Sequence, residues 1–395
     1  MIKVTIRNLT ILFGSTMSVL ASTILAPALP EMSKAFQEVP NSDFMVRLVL
    51  TFPALFIALS APFTGILLDR WGRKPVITVA LILYAVSGST GFFIDSLAVL
   101  LVSRAFLGLS ISGTISGFTT LIIDYFSGQR LNQFMGYQGA FIGFGGMVSF
   151  LAGGFLADLS WQHPFLIHLF ALLILPGLLF AVDEPENIRS EAGFKRGSFR
   201  QELGSSFNKI IMIYITALLG MMIFFVFPLQ IPFLLREISS ISASQVGLIL
   251  SVPAFAALVM SLFYRRLKEK FSFNAILFII FIALALNHLF LYLFSGLALI
   301  VIGLIFGGLA VGLLPPNLNV WIASLIPSDF RGRAIGGLTM SFFLGQFLTP
   351  IVAEPFISEL GIQETFLYYG LFSLAIAVLF IVSSANKKEG SFLGK

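Results

Sequence analysis

GILLDRWGRK, residues 65–74, separates two long apolar stretches and carries almost all the polarity between them. One acid (Asp69), three bases (Arg70, Arg73, Lys74) and two glycines (Gly65, Gly72) share ten positions. Charges in so short a connection either sit in water at a membrane surface or clamp the ends of the helices beside them. Which of these applies depends on what surrounds the connection.

The surroundings are apolar to a degree that excludes a soluble fold. Of 395 residues, 57% are hydrophobic and 11% charged, against about a quarter charged in an average soluble domain. Forty-four phenylalanines against eight tyrosines and three tryptophans also suit lipid, because a phenyl ring has no polar atom to satisfy. The chain has no cysteine, so disulfides and thiolate metal sites are ruled out and no metal or cofactor is expected.

Apolar windows long enough to cross a bilayer, about twenty residues each, recur twelve times: 9–30, 44–68, 75–94, 97–123, 135–157, 163–182, 210–235, 244–264, 274–295, 297–326, 335–357 and 363–383. Lys3 and Arg7 before the first window look like the start of a secretory signal. The eleven windows that follow make an uncleaved first helix the expected reading. With the N-terminus inside, twenty of the 24 lysines and arginines fall on the inner side. Lys34, Arg47 and Arg236 fall outside, and Arg104 lies within a span. Both termini are therefore expected in the cytoplasm, in the cell membrane of the source.

The longest polar interruption, 183–209, divides the spans six and six. The expected organisation is an N-terminal bundle (1–182), a cytoplasmic linker (183–209) with room for a short surface helix, and a C-terminal bundle (210–395). Two echoes link the halves: Pro27 and Pro30 close span one as Pro228 and Pro232 close span seven, and DYFSGQR (124–130) follows span four as SDFRGR (328–333) follows span ten. Parallel six-span repeats are a transporter architecture.

On these residues the chain resembles the major facilitator superfamily. GILLDRWGRK is similar to the signature loop between that family's second and third helices, and the resemblance runs over the whole chain. ILAPALPEM (24–32) and RAFLG (104–108) resemble motifs of the drug/proton antiporter branch. Leu107 replaces that branch's glutamine. Gly145, Gly153 and Gly154 fit the fifth-helix antiporter motif, but Ser149-Phe150 stands in place of its glycine-proline pair. The resemblance implies an all-α membrane fold of twelve helices in two six-helix bundles. It also implies a conformational gate of Gly65, Asp69, Arg70, Gly72, Arg73, Lys74 and Asp124. Within that gate Asp69 would meet the start of the eleventh helix, near Ile335, and Arg73 would pair with Asp124. Gly65 and Gly72 allow a close helix approach and a tight turn.

An arginine within a span costs about 2.5–3.5 kcal/mol on insertion scales, so Arg104 is expected to face protein or water; the resemblance implies a role in proton coupling, and the alternative is a side chain snorkelling to the interface. Acids are scarce in the spans, and Glu354 is the expected proton carrier, with Glu31 and Asp158 interfacial. His288 with Asn287 reads as packing. Gln138, Asn317, Asn319 and Gln346 are candidate substrate contacts or interhelical bonds, the two asparagines following a Pro315-Pro316 pair expected to break its helix. The Met221-Met222 and Phe224-Phe225 run reads as lipid-facing or as an apolar lining.

The expected function is a monomeric secondary transporter, coupled to protons and exporting small amphipathic or hydrophobic molecules. An importer of a small metabolite with the same fold is the alternative, and a lipid flippase or membrane enzyme belongs to a different class. No nucleotide-binding glycine loop or HExxH is present, which argues against catalysis, and no nucleic-acid partner is expected.

Overall fold

In the computed structural model, residues 2–185, 207–238, 241–294, 296–326 and 331–392 are described. Among them there is no strand, and twelve helical segments are long and apolar enough to span a bilayer. All twelve coincide with the windows read from the sequence. Most of the helices overshoot those windows, as helix 42–71 does for window 44–68, because the helices continue into the polar residues that flank each apolar window. In hydrocarbon each backbone N–H and C=O must be satisfied within the segment, which is why the spans are helices.

The first span is composite: α1 (Ile2–Ser15), α2 (Met17–Thr23), a 3₁₀ turn (Ala26–Ala28) and α3 (Leu29–Ala35). Pro27 and Pro30 lack N–H groups, and the Thr16 hydroxyl donates to the Phe13 carbonyl at 2.7 Å, competing with the helix ladder. Then follow α4 (Ser42–Trp71), α5 (Arg73–Phe93), α6 (Leu97–Tyr125), α7 (Gly128–Leu159), a 3₁₀ segment (His163–Leu169) and α8 (Phe170–Ala181). The second set comprises α9 (Phe207–Ile238), α10 (Ala243–Lys270), α11 (Phe273–Tyr292), α12 (Leu297–Leu325), α13 (Arg331–Leu360) and α14 (Ile362–Phe392). The surface helix expected within 183–209 lies outside the described residues.

The chain forms two compact units, Met1–Gly197 with Leu235–Leu248, and Ser198–Leu234 with Ile249–Lys395. The segment 235–248 joins the first unit, which the sequence reading did not anticipate. Each unit turns large apolar side chains outward, such as Phe63, Leu173 and Phe180 in the first and Leu262 and Leu379 in the second. Outward phenyl and leucyl groups are what a lipid solvent requires.

Each unit contains the same kind of close helix approach. A methyl on Gly108 of α6 would lie 2.3 Å from the Pro53 carbonyl oxygen of α4 and 2.7 Å from Phe56 Cβ. A methyl on Gly308 of α12 would lie 2.3 Å from the Pro253 oxygen of α10 and 2.7 Å from Ala256 Cβ. In each unit a glycine lets a helix backbone rest on a proline-bearing partner, a small-residue contact of the kind that replaces hydrophobic packing in membranes.

Candidate functional site

The loop at residue 72 presents an electrostatic problem. Gly72 stands at φ +94°, a backbone region that favours glycine, and ends α4 immediately before α5 begins. The first turn of α5 then carries Arg73 and Lys74, two cations at the positive end of a helix dipole. Gly72 has no side chain with which to cap the exposed N–H groups.

Groups from elsewhere in the first unit resolve it. The Glu184 carboxylate accepts the backbone N–H of Arg73 at 2.6 Å and of Lys74 at 2.8 Å. The third position is Pro75, which has no N–H to satisfy. Arg73 is buried; its Nε donates to Asp124 at 3.0 Å, and Nη1 donates to the Leu68 carbonyl at 2.8 Å and lies 3.3 Å from Asp69. Lys74 Nζ donates to the carbonyls of Leu179 at 2.7 Å and Val182 at 3.0 Å, closing the end of α8. Lys3 pairs with Asp183 at 2.8 Å, and that bond holds the exposed Asp183 carboxyl below its ordinary pKa.

Asp69 is thus seen with Arg73, its carboxylate largely exposed. The start of the eleventh span, expected to meet it, adjoins residues 327–330, which lie outside the described residues. Arg70 is exposed at the end of α4. Gly65 departs from expectation, because a methyl there would meet nothing within 4 Å and the close approach is not made.

Arg104 sits at the centre of a second cluster. It is fully buried, as are Tyr84, Phe165 and His168, so the snorkelling alternative fails. Arg104 Nη2 donates to the Gly88 carbonyl at 2.8 Å, and the guanidinium carbon lies 4.8 Å from the Phe165 ring centroid, a cation–π contact. Its Nε and Nη1 have no hydrogen-bond partner. In a 3₁₀ segment residues i and i+3 eclipse, so Phe165 and His168 project together onto Gly91 and Gly88 of α5. A methyl on Gly91 would strike Phe165 at 2.1 Å, and one on Gly88 would strike His168 Cβ at 2.3 Å. Tyr84, one turn before Gly88, lies with its ring 5.3 Å from His168 and donates its hydroxyl to the Met17 carbonyl at 2.9 Å.

The second unit repeats this arrangement with other residues. At the offset of the Gly108–Gly308 pair, Leu304 stands for Arg104, His288 for Gly88 and Leu284 for Tyr84, while Phe366 and Tyr369, each one residue beyond that offset, pack on His288 as Phe165 and His168 pack on Gly91 and Gly88. All five are buried. His288 stacks on Tyr369 with centroids 6.1 Å apart and places Nδ1 2.8 Å from the Leu284 carbonyl, which agrees with a packing role.

The remaining candidates separate. Gln138 is buried and donates to Ser15 at 3.0 Å and Thr119 at 3.1 Å, joining three helices. Asn317 donates to the Phe273 carbonyl at 3.2 Å, and Asn319 to its own helix at Pro315, 2.9 Å. The expected break at Pro315-Pro316 does not occur, since α12 runs unbroken from Leu297 to Leu325. Gln346 is buried in α13 and Glu354 half-buried near its end. Met222 and Phe225 are buried rather than lipid-facing. Glu31 and Asp158 are engaged within the first unit. Glu31 pairs with Arg236, and Asp158 accepts the N–H groups of Ala243 at 2.7 Å and Ser244 at 3.2 Å, capping the start of α10.

Three residues escaped the sequence reading. Glu184 was legible in principle, because a helix starting GRK without a capping side chain needs an acceptor from elsewhere. His168 was detectable as a rare histidine within a span. Tyr84 gave no local signal.

Comparison with known proteins agrees with this architecture. Over 397 residues the chain is 25% identical to the bacillibactin exporter of Bacillus subtilis (strain 168), covering 95% of this chain and 96% of that one. It is 22% identical over 394 residues to a putative proline/betaine transporter of Staphylococcus aureus (strain COL), covering 90% and 84%. The crystal structure of a D-xylose-proton symporter superposes with a TM-score of 0.77 at 14% identity, covering 95% of this chain and 97% of that one. The family model described as Major Facilitator Superfamily matches residues 11–240 and 213–392. The chain is therefore a multi-pass membrane transporter, not an enzyme, and belongs to the Major Facilitator Superfamily.

Proposed function

We propose that this transporter is a secondary active exporter that couples proton entry to the efflux of small amphipathic or hydrophobic molecules by alternating access. The observation that carries this reading is Arg104, a fully buried guanidinium with two unpartnered nitrogens, matched in the second unit by Leu304. Helix packing at that position is served by leucine, so packing does not account for the cost of burying a charge. The similarity to a bacillibactin exporter over nearly the whole length of both chains supports export.

In this scheme Asp69, Arg73 and Asp124 lock one conformation of the cycle, and Glu184 belongs to the same latch because it caps the helix that Arg73 begins. Gln138, Asn317, Asn319 and Gln346 remain candidates for the substrate path, and Glu354 for proton binding. The protein acts as a monomer in the cell membrane with both termini in the cytoplasm.

Import by the same fold is the second reading. Ser149-Phe150 in place of the glycine-proline pair and the similarity to a putative proline/betaine transporter favour it. Everted membrane vesicles with an imposed pH gradient decide between the two when ethidium and Hoechst 33342 are the probes. Export predicts gradient-dependent accumulation that collapses with the gradient. Uptake into intact cells without accumulation in everted vesicles overturns export.

A further inference from the structure

A neutral imidazole has one N–H and one lone pair. His168 Nδ1 lies 2.9 Å from the Phe165 carbonyl oxygen, and a carbonyl can only accept, so Nδ1 carries the hydrogen and Nε2 the lone pair. That Nε2 is buried and has no hydrogen-bond partner. Buried polar atoms are ordinarily satisfied, so a bare basic nitrogen in a bundle interior calls for an explanation. Packing alone does not place it next to a cation, yet Arg104 occupies the same cluster. Gly88 joins the two: its carbonyl accepts from Arg104 and its bare Cα admits His168.

We propose that His168 Nε2 is a proton-binding site and that Arg104 is its electrostatic partner. The proton enters from water and bonds to the Nε2 lone pair, while Nδ1–H keeps its bond to Phe165. Two positive charges then share one dry cluster, and the guanidinium, held through Nη2 to the Gly88 carbonyl at 2.8 Å and the Ser87 carbonyl at 3.5 Å and by its contact with the Phe165 ring, is the part that leaves. Its return expels the proton to water, and no other bond changes. This rests on the proton-coupled reading and deepens it by placing the proton on an imidazole instead of an in-span carboxylate.

The groups facing His168 are few. From α5 there is Tyr84, whose hydroxyl is committed to Met17, and from α6 there is Arg104, whose guanidinium lies against Gly88 and the Phe165 ring. The carboxylate of α7, Asp158, is bound to the start of α10, and α8 contains no charged residue. On its own segment His163 lies against Phe92. His288 supplies a control within the molecule. Its Nδ1 also meets a carbonyl, that of Leu284 at 2.8 Å, but Leu304 stands in the place of the arginine.

Only three histidines are present, so ¹⁵N-histidine NMR of the full chain in lipid nanodiscs can follow each ring, assigned with His163→Asn, His168→Asn and His288→Asn. The His168 ring is expected to pass between the Nδ1–H neutral form and imidazolium within the pH range where the protein stays folded. Arg104→Leu is expected to move that midpoint by at least about one pH unit, a tenfold change in proton affinity, and to leave the His288 midpoint in place. A His168 ring that stays neutral throughout, or a midpoint indifferent to Arg104→Leu, overturns the proposal.

Proteoliposomes loaded for ethidium accumulation separate this from the underlying reading. Asparagine can still donate to Phe165 but has no basic nitrogen, so His168→Asn should lose gradient-driven accumulation about tenfold or more while ethidium counterflow persists. If accumulation ignores the pH gradient in the parent protein while the ring titrates as described, the coupled reading falls and the proton site stands. If accumulation follows the gradient and His168→Asn behaves as the parent, His168 is a packing residue.

Discussion

The two units use one scaffold and fill it differently. Gly108 on Pro53 and Gly308 on Pro253 make the same backbone contact to within a tenth of an ångström, and Phe165 and Phe366 hold matching buried places. Around them the polarity diverges. The first unit leaves a glycine at position 88, and the exposed carbonyl and free space there receive Arg104 and His168. The second unit fills the matching place with the side chain of His288 and puts Leu304 where the charge would be. The shared contacts are therefore the fold, and the unshared charge is the candidate function.

Exchanging the charge should break this comparison most visibly. Arg104→Leu makes the first unit resemble the second, and it should abolish gradient-driven transport while membrane abundance and melting temperature hold or rise, because a buried charge is replaced by a packed apolar group. Transport at parental rates from Arg104→Leu would mean the charge is idle. The reciprocal Leu304→Arg places an uncompensated cation in a span at about 2.5–3.5 kcal/mol. Immunoblots of membrane fractions should show it poorly inserted; normal insertion would mean the second unit has a partner ready for a charge.

The shared contact gives the next largest effect. Gly108→Ala and Gly308→Ala each drive a methyl into a proline carbonyl, and each should cost about 1–3 kcal/mol, read as equal drops in melting temperature in detergent. Unequal drops would show that the repeat is not mechanically equivalent. Glu184→Gln sharpens the picture of the loop end. Losing the carboxylate that caps α5 should cost about 0.5–2 kcal/mol and slow transport, whereas Asp69→Asn should slow transport with no loss of stability. If Glu184→Gln changes neither melting nor transport, Glu184 is not part of the latch.

Asp183→Asn should have the smallest effect. Lys3 holds that carboxyl below its ordinary pKa, so what the pair contributes is present at neutral pH and lost only as pH falls through the lowered value. Both partners are exposed, and exposed pairs contribute little. No resolvable melting change is expected at neutral pH, and a clear one would show the linker start to be more deeply embedded than its exposure suggests.

Sequence and structure divided the work along a physical line. The twelve spans, their lengths and the helical class were legible because the bilayer imposes a local rule, about twenty apolar residues with every backbone group satisfied within the segment. The pairing of Arg73 with Asp124 was legible only through resemblance to a family. Gly65 was misjudged because whether a glycine meets a neighbour is not a local property, and Pro315-Pro316 because an intact helix absorbed two missing donors. The bond of Glu184 to the start of α5, the meeting of Arg104 with Gly88 and His168, and the repeat of that frame around Leu304 join residues far apart in the chain. Which polar groups face each other across helices follows from the rotation and depth of each helix in its bundle. Those are set by packing against neighbours, and hydropathy does not encode them.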